Sequence, residues 1–244
     1  MSRPQPNIIV SYCLYGDYNL YSLGLFQSLD ILHDNNFNVY VSHPDDAPSH
    51  LIDKLQKAGC KTIPYRDQSA SQGMFERINV YKNLSQFDVI FIRDTDSIIL
   101  PHEIKFMHQF INSNYKLHVI RSHPDHDMPV MGGLCGYKKE VSHYLNNPLV
   151  RLIFNALKTK SRYGLDQTFL MLVYQKFLKE IMVHSTANYA NHENIFPDDK
   201  STKERYCGQS LLKPSPAFRN VPKNIITRNL RIKLFFISVL NFFT

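Results

Sequence analysis

Asp94 and Asp96, within DVIFIRDTDSII (residues 88–99), stand one residue apart directly after an unbroken apolar run, Val89 to Ile92. Two carboxylates at that spacing can converge on one hard divalent cation, which prefers oxygen ligands. Such an ion can bridge the oxygens of a diphosphate and neutralise charge on a leaving group. The competing reading is a capped turn, because aspartate and serine cap helices and Pro101 follows soon after. A second pair, Asp125 and Asp127, sits in RSHPDHDMPV between Pro124 and Pro129. The two prolines put that pair in a bent loop near the site rather than at a strand end.

The elements that must position Asp94 and Asp96 follow from hydrophobic spacing. NIIVSYCLYG predicts a buried strand ending at Gly16, and Tyr21, Leu25, Leu29 and Leu32 recur at helical spacing over 17–34. NVYVSHP is a second short strand, SHLIDKLQKAG a helix closed by Gly59, and KTIPY a weaker strand suited to an edge. MFERINVYKNLS predicts a helix ahead of the strand at 88–93. Pro101 opens another helix, with Ile104, Met107, Phe110 and Ile111 on one face, before the strand KLHVIRS. An irregular Gly- and Pro-containing stretch covers 124–136, helices are expected near 139–158 and 166–179, and IMVHS is a short apolar run. Residues 186–229 read as loop-rich. The β-α-β-α alternation predicts an α/β domain with a central, mostly parallel sheet flanked by helices and an irregular C-terminal portion. In such a sheet, ligands bind beyond the carboxyl ends of the strands, where Asp94 and Asp96 fall.

A chain of 244 residues suits one such domain, and 43% hydrophobic with 20% charged residues excludes a disordered polymer. The net charge of +7 favours an anionic partner. It is spread thinly, which argues against a nucleic-acid-binding arm. Cys13, Cys60, Cys135 and Cys207 form no C-x-x-C pair, so reduced thiols are expected rather than a disulfide framework. The polar start MSRPQPNIIVSYC does not have the pattern of a secretory leader, and no apolar run is long enough to span a bilayer. A cytoplasmic location is expected.

Several pieces in order resemble GT-A-fold glycosyltransferases, which move a sugar from a nucleotide-sugar donor and carry a DXD metal motif. SYCLYGD resembles their first strand and nucleotide-binding turn, and MFERINVY followed by DVIFIRDTDSIILPHE their arginine-bearing helix and DXD strand. VIRSHPDHDMPVMGGLCGYKK is similar to the His-Pro/Gly-Gly segment of a bacterial and viral subset. There, Ser122 and Cys135 depart from the residues usual in that subset. GLDQTFL is similar to their Asp-Gln segment, and VHS to a later metal-site histidine.

The resemblance implies a Rossmann-like GT-A domain over 1–228 and the following roles. Asp94, Asp96 and His184, or His192 in its place, would hold Mn²⁺ or Mg²⁺, with Thr95 near the ribose. Arg77 would meet the diphosphate or brace the DXD carboxylates, and Tyr12, Tyr15 and Gly16 would line the nucleobase. Arg121, His123, Gly132 and Gly133 would border the donor sugar. Asp166 would face the reacting carbon as base or charge stabiliser, and Gln167 would bond the donor sugar. The implied partners are a nucleoside-diphosphate sugar and a glycan or glycoconjugate acceptor. Two other functions share the paired aspartates or the fold: a nucleotidyltransferase or phosphoesterase-like enzyme, and a non-catalytic carbohydrate-binding protein. The tail, 229–244, carries Arg231 and Lys233 beside Phe235, Phe236, Phe242 and Phe243. It could lie against an anionic membrane surface or pack on the domain.

Overall fold

The computed structural model describes residues 5–66, 70–123, 126, 128–160, 164–186, 193–198, 200 and 206–211. The Asp125/Asp127 pair, His192 and the 229–244 tail lie outside the described residues.

The chain runs β1 (Ile8–Cys13), α1 (Tyr18–Tyr21), α2 (Leu23–Asp34), β2 (Asn38–Pro44), α3 (Ser49–Lys57), β3 (Lys61–Tyr65) and α4 (Ala70–Asn79). A 3₁₀ turn (Val80–Asn83) then leads to β4 (Val89–Arg93), α5 (Pro101–Ile111), β5 (Leu117–Arg121) and β6 (Leu134–Lys138). The chain continues through α6 (Lys139–Leu145), α7 (Pro148–Lys158), α8 (Leu165–Lys176), β7 (Ile181–Ser185) and β8 (Asn194–Pro197). One eight-stranded sheet takes the order β3-β2-β1-β4-β6-β5-β7-β8. All pairings are parallel except those of β6, which runs antiparallel to both β4 and β5. The expected mostly parallel α/β sheet is present.

Two strands were not expected. β6 falls within and beyond the stretch read as irregular, and β8 within the stretch read as loop. LCGYK has a glycine where a strand signal would carry a β-branched residue, and the four-residue β8 is too short to show a period. The expected helix over 17–34 is broken at Ser22, and that over 139–158 at Asn146 and Asn147 before Pro148.

Strands β1 and β4 are buried at every position, as strands covered on both faces must be. Side-chain alternation therefore sends successive residues into two different cores. Ile9, Ile90, Ile92, Val119 and Val183 meet Phe75 of α4, Phe154 of α7, and Phe169 and Leu170 of α8. Val10, Tyr12, Val41 and Phe91 meet Leu25 and Leu29 of α2, Leu55 of α3, and Met107 and Phe110 of α5. On β4 this places Arg93 on the α2/α5 face. Asp94, next in line after Ile92, turns toward the α4/α8 face.

The α5 face holds a buried histidine pair. His118 Nε2 and His184 Nδ1 are 2.8 Å apart, and His184 Nε2 lies 2.6 Å from Gln109 Oε1. His184 stacks on Phe106 with centroids 4.1 Å apart, and His118 stacks on Phe110. Burial, partly opposed by Asp198, lowers the His184 pKa to about 4, and burial beside His184 lowers that of His118. A histidine whose folded pKa lies below its unfolded value stabilises the fold fully above about pH 6.5, and loses that contribution as pH falls toward the folded value. Unfolding free energy is therefore expected to fall between about pH 6.5 and 5, toward a total loss of about 3 kcal/mol from His184. Urea titrations at stepped pH measure this, and His184→Gln should flatten the slope.

Candidate active site

A buried guanidinium organises the carboxyl ends of β1 and β4. Arg77, in the last turn of α4, donates from Nη1 to Asp94 Oδ1 and from Nη2 to Asp166 Oδ2, the latter at 2.8 Å. Burial opposes its charge, but Asp94 and Asp166 more than restore it, so the guanidinium stays ionised. Its helix is anchored in turn by Ser11 of β1, whose hydroxyl donates to the Arg77 carbonyl at 2.9 Å. Asp166 sits in the first turn of α8, after Gly164 in the left-handed conformation (φ 81°). It does not cap that helix; its carboxylate turns to Arg77 instead.

Gly132 and Gly133 complete this cluster, and the reason is close approach. A Cβ on Gly133 would lie 1.9 Å from Asp94 Oδ2. One on Gly132 would lie 2.5 Å from Asp166 Oδ2 and 2.7 Å from Arg77 Nη2. In the structure the two glycines make room for the carboxylates.

The Asp94–Asp96 turn is held from behind as well. Arg93, fully buried, pairs with Glu103 of α5 at 2.8 Å and donates to the Gly133 carbonyl at 3.0 Å. The Thr95 carbonyl accepts from the Leu25 amide at 2.8 Å, and the Ile99 amide donates to Ser28 Oγ at 2.9 Å, so α2 carries the loop. Ser210 Oγ donates to Asp96 Oδ2 at 2.6 Å, and the Leu211 amide to the Asp96 carbonyl at 2.8 Å. Burial raises the Asp96 pKa, an effect offset in part by the Ser210 hydrogen bond.

The expected site residues divide into two groups. Arg77, Asp94, Asp166, Gly132 and Gly133 converge, with Asp96 and Thr95 on the adjoining turn. Tyr15 stands at the rim, where Arg77 and Asp94 both act on its hydroxyl, and its ring lies 5.8 Å from that of Tyr21. Gly16, exposed at φ 71°, makes the expected tight turn. Gln167 is half-buried beside Asp166.

Four other expected site residues lie apart from this cluster. Tyr12 does not line a nucleobase; it is fully buried in the α2/α5 core, because alternation on β1 points it inward. Arg121 is committed to Glu193, which also accepts from Tyr174 Oη at 2.5 Å. His123 is buried and stacked on Tyr206 with centroids 4.1 Å apart. His184 is not brought to the aspartates. It lies on the opposite sheet face from the Asp94 carboxylate, with both ring nitrogens in contact with His118 and Gln109. Among the described residues, Asp94 and Asp96 have no third His, Cys, Asp or Glu ligand converging with them.

The residues missed at the sequence level are Arg93, Glu103, Ser210 and Leu211. A signal existed for the first two: an arginine ending an apolar strand and a glutamate two residues after a helix-starting proline. Ser210 and Leu211 carried none.

The two glycines should respond differently to a methyl group. Asp166 is 2% exposed and cannot move aside, whereas Asp94, at 38%, can swing toward solvent. Gly132→Ala is therefore expected to cost about 1–3 kcal/mol in urea denaturation and more than Gly133→Ala, although the Gly133 approach is the shorter. The reverse order would mean that the Asp166 wall yields more easily than its burial implies.

No protein-family model and no curated protein matches the chain. Solved structures do. Staphylococcus aureus TarS 1–349 superposes with a TM-score of 0.52 at 14% identity, covering 96% of this chain and 73% of that one. The same fragment in complex with UDP gives 0.50 at 15% identity, covering 72% of this chain and 57% of that one. S. aureus TarS gives 0.50 at 15% identity, over 82% of this chain and 36% of that one. This chain thus spans little more than half of the UDP complex it matches. At such identities the likeness is one of architecture, and that architecture, a mixed and mostly parallel sheet between helical layers, is the GT-A fold.

Proposed function

We propose that this chain is a glycosyltransferase that takes a sugar from a nucleoside-diphosphate donor to a hydroxyl of a glycan or glycoconjugate acceptor. The observation that carries the reading is the convergence of Asp94, Asp166 and Arg77 against Gly132 and Gly133, beyond the carboxyl ends of the strands. A UDP complex of a protein with the same fold supports the donor class.

Charge balance supports a divalent cation. Arg77 is ion-paired with both Asp94 and Asp166, and Asp96 adds a third carboxylate on the adjoining turn. The excess negative charge calls for a cation with hard oxygen preference. Asp94 and Asp96 would hold Mn²⁺ or Mg²⁺, which when bound supplies charge neutralisation to the diphosphate leaving group. Arg77 keeps Asp94 and Asp166 at a set separation. Asp166 is then positioned to accept the acceptor proton or to stabilise positive charge at the sugar carbon. Tyr15 at the rim offers a ring against which a base can stack, and Gln167 a side-chain amide for the donor sugar. The transferase domain would comprise residues 1–228, with 229–244 as an appended basic and aromatic tail.

Calorimetry with UDP and GDP, with and without Mn²⁺, tests the reading. Metal-dependent binding of at least one nucleotide is expected, and Asp94→Ala should remove the metal dependence. Binding of neither nucleotide under either condition would overturn it. Asp166→Asn should leave nucleotide binding intact while lowering donor turnover by roughly a hundredfold or more.

A further inference from the structure

A second set of metal-ligating side chains lies on the α5 side of the sheet, apart from Arg77 and Asp166. His102 in the first turn of α5, Asp198 just after β8, and Cys207 each offer one ligand atom, all within 4.8 Å of one another. Asp198 and Cys207 are buried, and His102 is half-buried. Cys207 Sγ is 3.3 Å from His102 Nε2, and Ser122 Oγ donates to Asp198 Oδ2. The Cys207 thiol also lies against the carboxyl of Glu103. Glu103 is itself 1% exposed, spends Oε1 on Arg93, and leaves Oε2 buried without a hydrogen-bond partner.

We propose that His102 Nε2, Asp198 and Cys207 Sγ bind one Zn²⁺, with Glu103 Oε2 or a water in the fourth position. The three atoms, all within 4.8 Å of one another, need only small side-chain shifts to close to the roughly 2.0–2.3 Å that a common zinc ion requires. The donor set decides the metal. A thiolate with an imidazole and a carboxylate suits zinc, whereas Mg²⁺ and Mn²⁺ favour oxygen-rich sites such as Asp94 and Asp96. Binding deprotonates Cys207 and releases that proton to solvent.

The site has a structural consequence. Its ligands come from α5, from the exit of β8, and from the 206–211 segment. That segment bonds the DXD turn through Ser210 to Asp96, Leu211 to Asp96, and the Ser97–Ser210 bridge. A zinc ion here ties the segment to the sheet and braces the turn from the side opposite Arg77. The inference does not depend on the glycosyltransferase reading.

The test uses Co²⁺ titrated into the metal-stripped full chain and read by absorption. One equivalent is expected to produce a thiolate-to-cobalt charge-transfer band, which one equivalent of Zn²⁺ abolishes. The band should persist in Asp94→Ala, weaken in His102→Gln and vanish in Cys207→Ser. Zn²⁺ should raise the melting temperature of the wild type. If Cys207→Ser fails to fold, the single changes Cys13→Ser, Cys60→Ser and Cys135→Ser must each keep the band. A wild-type spectrum without the band overturns the proposal, as does a band that survives Cys207→Ser, disappears in one of the other serine variants, or disappears in Asp94→Ala. In those cases the cluster is a buried hydrogen-bonded group or the cation sits elsewhere.

Discussion

The guanidinium of Arg77 is the constraint on which the site depends. It is buried, and a buried charge is tolerated only when it is paired and hydrogen-bonded. Its two partners come from elements far apart in sequence, the β4 exit and the start of α8, so the requirement to neutralise one cation fixes two carboxylates relative to each other. Everything around it follows. Two glycines stand where any side chain would strike those carboxylates, and Ser11 of β1 fixes the turn of α4 from which Arg77 reaches.

Sheet geometry divides the labour between two arginines. Arg93 and Asp94 are neighbours in sequence, but strand alternation sends them to opposite faces. Arg93 anchors α5 through a buried ion pair with Glu103 and holds the Gly133 backbone by donating to its carbonyl, while Asp94 faces Arg77. The Asp94–Asp96 turn is therefore gripped from both sides of the sheet. A turn held this way pre-organises its carboxylates.

The same alternation explains why Tyr12 and His184 lie apart from the Arg77 cluster. Tyr12 and His184 belong to motifs that resemble nucleotide- and metal-binding segments, yet each points into the α2/α5 side of the sheet. A motif match locates a residue along the chain but not on a face. His184 instead stacks on Phe106 and meets His118 edge-on in a buried cluster, where its neutral ring is favoured by burial. Arg121 was drawn toward the interior by Glu193, a carboxylate seventy-two residues away that no local pattern connects to it.

Asp166, Gly132 and Gly133 were singled out by the resemblance to a family. By itself the sequence determined the α/β class, the strand that leads into Asp94 and the helix that carries Arg77. These are legible because apolar period, strand length and turn residues act over a few positions. Only the tertiary structure decided that β6 enters antiparallel between β4 and β5, that Asp94 and Asp166 share one guanidinium, and that Ser210 returns to Asp96. It alone also brings His102, Asp198 and Cys207 together. Those facts rest on contacts between segments tens to more than a hundred residues apart. Such contacts are selected by burial and charge pairing in three dimensions, and they leave no spacing in one.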